Sequence, residues 1–131
     1  MDAIRKLPQG QANLAQGVPD AEPGTLFVLT VGGGVRVDAG PLRTILFGRN
    51  RPEVHVCVGE DDARVSRMHG AISYRSGQWW VAVTGRLPLR SSHNQKLFAG
   101  EDPTPLAPGY TQLFVQGSDN REHVMELYVV A

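Results

Sequence analysis

From Thr25 to its end the chain is a succession of short runs rich in β-branched and aromatic residues, each closed by a turn signal. No stretch carries the apolar spacing of a long amphipathic helix. "TLFVLTV" ends at the triple glycine Gly32–Gly34 and "VRV" follows with period-two alternation, which predicts a hairpin. "RTILFGR" comes next, then a loop containing Pro52, then "VHVCV". "HGAISYR" and "QWWVAVT" flank Ser76–Gly77 and predict a second hairpin, with Ile72, Tyr74, Trp79 and Val81 as core candidates. "TQLFVQG" and "REHVMELYVV" flank "SDN" and predict a third. In the last run Met125, Leu127 and Val129 share one face, and Val124, Glu126, Tyr128 and Val130 the other. The glutamate assigns the core to the first of these faces. Nine or ten short strands at regular spacing predict an all-β sandwich or barrel.

The 131 residues suit one domain around a single core, with 41% hydrophobic and 20% charged residues. Thirteen basic and thirteen acidic residues leave a formal net charge of zero. A surface that coats nucleic acid needs a large basic excess, so direct nucleic-acid binding is not expected. The single cysteine, Cys57, allows no internal disulfide and fits a reducing compartment. No metal-ligand spacing surrounds it, and neither a metal nor a cofactor is expected. Residues 1–24 are rich in Gln, Ala, Pro, Asp and Gly and read as a flexible N-terminal tail, with the sandwich over 25–131. No signal peptide and no membrane-length apolar run is seen, so a cytoplasmic protein without membrane contact is expected.

Two loop positions carry chemistry. One is "FGRN", with Gly48 and Arg49 at a strand end. The other is "VSRMH", where Ser66, Arg67 and His69 interrupt the apolar positions Val65, Met68, Ala71 and Ile72, which read as core. A guanidinium presents a fork of donors matched to phosphate oxygens. A hydroxyl and nearby backbone N–H groups complete a small anion cup.

With Gly48-Arg49, the spacer strand "EVHVCV", Ser66-Arg67-Met68-His69, "GAISYR" and "QWWVAV" in this order, the chain resembles a forkhead-associated (FHA) domain. It looks like a divergent, bacterial-type member. "PLAPGYTQLFV", residues 105–115, extends the resemblance through the leucine-x-x-Gly turn, so that it covers roughly 25–130. The resemblance implies an FHA/SMAD-like two-sheet β-sandwich of about ten short strands that binds phosphothreonine peptides through loops at one end. It implies that Arg49 contacts the phosphate and Ser66 bonds a phosphate oxygen. Arg67 would line the site, Gly48 would set the backbone for Arg49, and His69 would brace the loop. The implied partner is a phosphothreonine protein or peptide written by a Ser/Thr protein kinase in a signalling pathway.

The chain departs from the family pattern in three places. The Asn-Gly pair that grips the peptide main chain falls near Leu87–Leu89, where Pro88 stands. Arg86 and Arg90 are candidates to replace it as positive charge, and Asn94 lies several residues too late. Tyr110 occupies the place of an acidic residue after Gly109, and "GEDD", residues 59–62, brings acids near the anion site. The rival expectation is a degenerate FHA domain that does not bind phosphopeptide and serves as a structural or oligomerising module of a larger, possibly DNA-binding, protein. An enzyme is not expected: there is no G-x-S-x-G or H-E-x-x-H, and Ser66 and His69 stand three apart on a strand pattern.

Overall fold

Alternation and turn chemistry build twelve short strands among the residues described by the structure, a computed structural model that covers 3–7, 14–41, 43–49 and 53–131. They are β1 (Ile4–Lys6), β2 (Leu26–Thr30), β3 (Gly33–Val37), β4 (Thr44–Gly48), β5 (Val56–Cys57) and β6 (Gly70–Arg75). The chain continues through β7 (Gln78–Val83), β8 (Leu89–Ser91), β9 (Lys96–Leu97), β10 (Thr104–Pro105), β11 (Gly109–Gln116) and β12 (Glu122–Val129). A seven-stranded sheet in the order β1-β3-β2-β12-β11-β8-β9 packs on a five-stranded sheet in the order β10-β7-β6-β4-β5. Every pairing is antiparallel except β4 with β5.

The core lies between the sheets, as the period-two pattern requires. Leu26, Val28, Leu113, Val115, Met125 and Leu127 from one sheet meet Ile45, Phe47, Ile72, Trp79 and Val81 from the other. The face of Met125, Leu127 and Val129 is the buried one, as the exposed-face glutamate requires. Of the paired tryptophans, Trp79 is buried and donates its indole N–H to the Gly24 carbonyl at 2.7 Å, with Tyr74 edge-on at 5.1 Å. Trp80 is half-buried on the opposite face of its strand.

Two expectations, the tail over 1–24 and Met68 in the core, meet a different arrangement. The stretch 1–24 contributes β1, which pairs with β3 through Ile4–Val37, Arg5–Arg36 and Lys6–Val35. Leu14 is buried in a second cluster with Phe27, Leu29, Leu7, Val18 and Tyr128 on the outer face of the larger sheet. This explains why β2 is buried on both faces. The stretch "RSSHNQK" is a two-stranded turn, β8 with β9, in which Asn94 takes a left-handed φ of 64°. Met68 is 47% exposed at the lip of a loop, because its segment 58–69 precedes β6 and does not follow the strand's alternation.

Among the described residues no helix is long and apolar enough to cross a membrane. Both sheets turn their strand ends toward one pole of the sandwich, where β4 ends, β6 begins, β7 ends and β8 begins. The candidate site is built there.

The packed N-terminal segment has a measurable consequence. Leu14→Ala removes a fully buried side chain, and urea unfolding is expected to show a loss of about 2–4 kcal/mol. A change of about 0.5 kcal/mol or less, the usual range for a surface position, would contradict the packing.

Candidate functional site

One strand end and two loops converge on Ser66. β4 delivers Gly48 and Arg49, the β5–β6 loop delivers Val65–His69, and the β7–β8 loop delivers Thr84–Pro88. Arg49 is zipped to the second loop twice. Its backbone N–H donates to the Ser66 carbonyl at 3.1 Å, and its side-chain Nε to the Val65 carbonyl at 2.8 Å. Fixing Nε holds the guanidinium plane and leaves its two terminal nitrogens to present a fork. Gly48 is needed at the crossing: a Cβ there would run into the Arg67 carbonyl and stand 2.8 Å from the His69 nitrogen.

His69 is fully buried and ties all three segments together. Its Nδ1 accepts the Ser66 N–H at 3.0 Å, and its Nε2 donates to the Leu87 carbonyl at 2.7 Å. Its backbone N–H donates to Phe47, and its carbonyl accepts from Thr84 and Gly85, both at 2.9 Å. A backbone N–H can only donate, so Nδ1 must be unprotonated and the ring neutral with its hydrogen on Nε2. Burial pushes the imidazole pKa below its usual value, against the smaller upward pull of the Leu87 carbonyl. The Ser66 Oγ faces elsewhere and accepts the Arg86 N–H at 3.2 Å. Because that bond uses a lone pair, the hydroxyl proton remains to be donated.

The structure therefore brings Gly48, Arg49, Ser66, Arg67, His69 and Arg86 to one pole. Arg67 and Arg86 are exposed and Arg49 and Ser66 half-buried. Among the described residues no carboxylate pairs with any of the three arginines. Arg90 is not brought to the pole. It forms a bidentate pair with Glu122 at 2.6 and 2.8 Å and lies 4.3 Å over the Phe114 ring, on the outer face of the larger sheet. Asn94 accepts from that same Arg90 at 3.2 Å and is spent there. Pro88 occupies the entry to β8, and its carbonyl accepts from Gln116 at 3.3 Å. It offers no side-chain donor or acceptor to a peptide backbone.

Two acids of the stretch 59–62 are engaged away from the cup. Asp61 lies 3.7 Å from Arg121, and Asp62 turns inward and is buried. Its carboxylate accepts from the Ser118 N–H and hydroxyl, the His123 Nε2 and the Arg64 N–H. Burial is the largest single influence and pushes its pKa up. The hydrogen bonds from His123, Ser118 and Arg64 together outweigh it and hold the carboxyl well below the usual carboxylate range. Sequence reasoning missed this residue. A lone aspartate in a polar loop looks solvated, and its partners lie in the β11–β12 turn. Among the described residues no cluster of three or more His, Cys, Asp or Glu could hold a metal ion.

With this geometry in hand, the fold has clear relatives among solved structures. The first FHA domain of the Mycobacterium tuberculosis protein Rv1747 superposes with a TM-score of 0.63 at 17% identity, over 84% of this chain and all of that one. The N-terminal FHA domain of Saccharomyces cerevisiae Rad53p, in complex with a phosphothreonine peptide, gives 0.62 at 17% identity, over 80% and 93%. An engineered FHA domain with a Myc-pTBD peptide gives 0.65 at 16% identity, over 82% and 93%. No family model matches the sequence, and no curated protein sequence matches it. The chain has the FHA fold, in a sequence far diverged from those structures.

Neutral buried His69 implies a pH dependence. Its pKa in the folded state lies below the unfolded value of 6.5, so as pH falls the unfolded chain takes up this proton first. The stability tied to His69 is full above about pH 7 and declines from about pH 6.5 downward, toward the lowered folded value. Thermal unfolding of wild type and His69→Gln across pH 5–8 is expected to show a difference that shrinks as pH falls. A difference constant across that range would contradict a neutral, bonded ring.

Proposed function

We propose that this domain binds phosphothreonine-containing protein segments and acts as a phospho-dependent interaction module, not as an enzyme. The observation that carries the reading is the state of Ser66. Its oxygen is occupied by the Arg86 N–H, and its hydroxyl proton is left for a ligand oxygen. Beside it, Arg49 is fastened through Nε, and its terminal nitrogens have no hydrogen-bond partner among the described residues. A phosphate monoester carries close to two charges at neutral pH and three acceptor oxygens, which matches one hydroxyl donor and a guanidinium fork. Arg67 and Arg86 add positive charge around the cup and favour a dianion over a carboxylate. The Rad53p domain of the same fold is described in complex with a phosphothreonine peptide, which supports the reading.

The partner in this reading is a protein marked by a Ser/Thr protein kinase, and the setting is cytoplasmic signalling. The serine hydroxyl and the arginines recognise the phosphate. Pro88 supplies no amide side chain, so the peptide main chain is held by other groups than in the FHA pattern. That same Pro88 favours a second reading, in which the pole no longer grips a peptide and the domain is a phosphate-independent structural or oligomerising module of a larger protein.

Fluorescence anisotropy with a phosphothreonine peptide library separates the two. Wild type is expected to bind phosphothreonine peptides and not their unphosphorylated or phosphoserine counterparts. Arg49→Ala and Ser66→Ala each remove a charge-assisted bond, which amounts to a loss of about tenfold to a hundredfold in affinity. A well-folded protein that binds no phosphopeptide, or binds it equally without Arg49, would favour the second reading.

A further inference from the structure

We propose that Asp62 is a positioning residue for the anion cup: buried itself, it forms with the half-buried Ser118 and His123 a latch that fastens the loop carrying Ser66 and Arg67 to the opposite sheet. The inference rests on the cup described under the proposed function, and goes beyond it to residues that touch no ligand.

The loop from Val58 to His69 is long, and ordering it costs conformational entropy that its own contacts must offset. Its first part is wound tightly around Asp62. The Asp62 N–H donates to the Gly59 carbonyl at 2.9 Å, and the Val65 N–H to the Asp62 carbonyl at 3.0 Å. The Asp62 carboxylate accepts the Arg64 N–H at 3.1 Å. The same carboxylate then leaves its own sheet. Oδ1 accepts the Ser118 hydroxyl at 2.6 Å, Oδ2 the Ser118 N–H at 3.0 Å and the His123 Nε2 at 2.8 Å. Ser118 and His123 belong to the β11–β12 turn and to β12, in the seven-stranded sheet. The latch therefore bridges both sheets at the pole where the cup is built.

Its connection to the cup is short. Val65 is fully buried, accepts Nε of Arg49 through its carbonyl and precedes Ser66. Moving Asp62 moves Val65, and with it both the Arg49 clamp and the Ser66 hydroxyl. The turn is shaped for this carboxylate. A Cβ at Gly117 would run into the Asp62 carboxylate, so only glycine lets the turn close over it. A buried carboxylate with this many donors is expensive to leave unpaired, so its hydrogen bonds support one another. The three side chains are not a hydrolytic relay. The Ser118 proton is given to Asp62, and the imidazole bonds the other carboxylate oxygen instead of the hydroxyl.

Ser118→Ala tests the latch from the far sheet. It removes one hydrogen bond to Asp62, keeps the backbone N–H bond, and touches neither Ser66 nor Arg49. Affinity for a phosphothreonine peptide is expected to fall about threefold to tenfold. Amide exchange at Ser66 and Arg49 is expected to quicken by a similar factor. Asp62→Asn is expected to do both more strongly, and the double variant to bind no more weakly than Asp62→Asn alone. If Asp62→Asn fails to fold, Ser118→Ala decides by itself. A Ser118→Ala protein that loses thermal stability but keeps both wild-type affinity and exchange at Ser66 and Arg49 would overturn the proposal. If wild type binds no phosphopeptide, the functional reading falls. Exchange at Ser66 and Arg49 then decides the latch: faster exchange in Ser118→Ala supports it, and unchanged exchange overturns it.

Discussion

One neutral imidazole holds the pole of converging loops together. His69 accepts a backbone N–H from Ser66 on one side and gives its only hydrogen to Leu87 on the other. Neither bond survives if the ring is rotated, and the first fails if the ring is protonated. Around it the Arg49 clamp, the Ser66 hydroxyl and the Arg86 amide take their positions with little freedom left. The site is preorganised by a residue that itself faces no solvent. This is also why the opening polar residues of the "VSRMH" segment do not weaken the sandwich. The Ser66 N–H and the imidazole satisfy each other, Arg67 stays in solvent, and the cost of burying the imidazole is offset by two hydrogen bonds.

The fold was legible where period two and turn chemistry agree. The glutamate at 126 identified the buried face of β12, and Ser76–Gly77 marked the β6–β7 hairpin. It was not legible where elements are only two or three residues long. The strands β8, β9 and β10 lack any periodicity, because their pairing comes from neighbours and not from their own residues. The N-terminal segment looked like a tail because its few apolar residues are spread among Gln, Pro and Gly. Leu14 finds Phe27 and Leu29 only once the larger sheet exists.

The site shows the same division. Arg49, Ser66, Arg67 and His69 were singled out because their types and order suit an anion at a loop end, and the structure brings them together. That they converge follows from the β4–β6 pairing. Arg90 was credited by proximity in sequence, and the register of β8 with β11 sends it to Glu122 and Phe114 instead. Asp62 illustrates the converse. A carboxylate in "GEDD" looks like a surface charge opposed to phosphate binding, and only the three-dimensional turn at Ser118 turns it into a buried support. Pro88 remains a departure from the family pattern, and in the proposed reading the phosphate carries more of the recognition than the peptide backbone does.

The measurement that bears most directly on this account is a two-dimensional amide NMR titration of the intact chain with a phosphothreonine peptide. The account expects the largest shifts at Ser66, Arg67 and Arg86, with the Arg49 Nε–H resonance moving alongside them. It expects the shifts to saturate and to vanish with the unphosphorylated peptide. Shifts confined to the opposite pole, around Trp79 and Leu106, or no shifts at all from a folded protein, would contradict it.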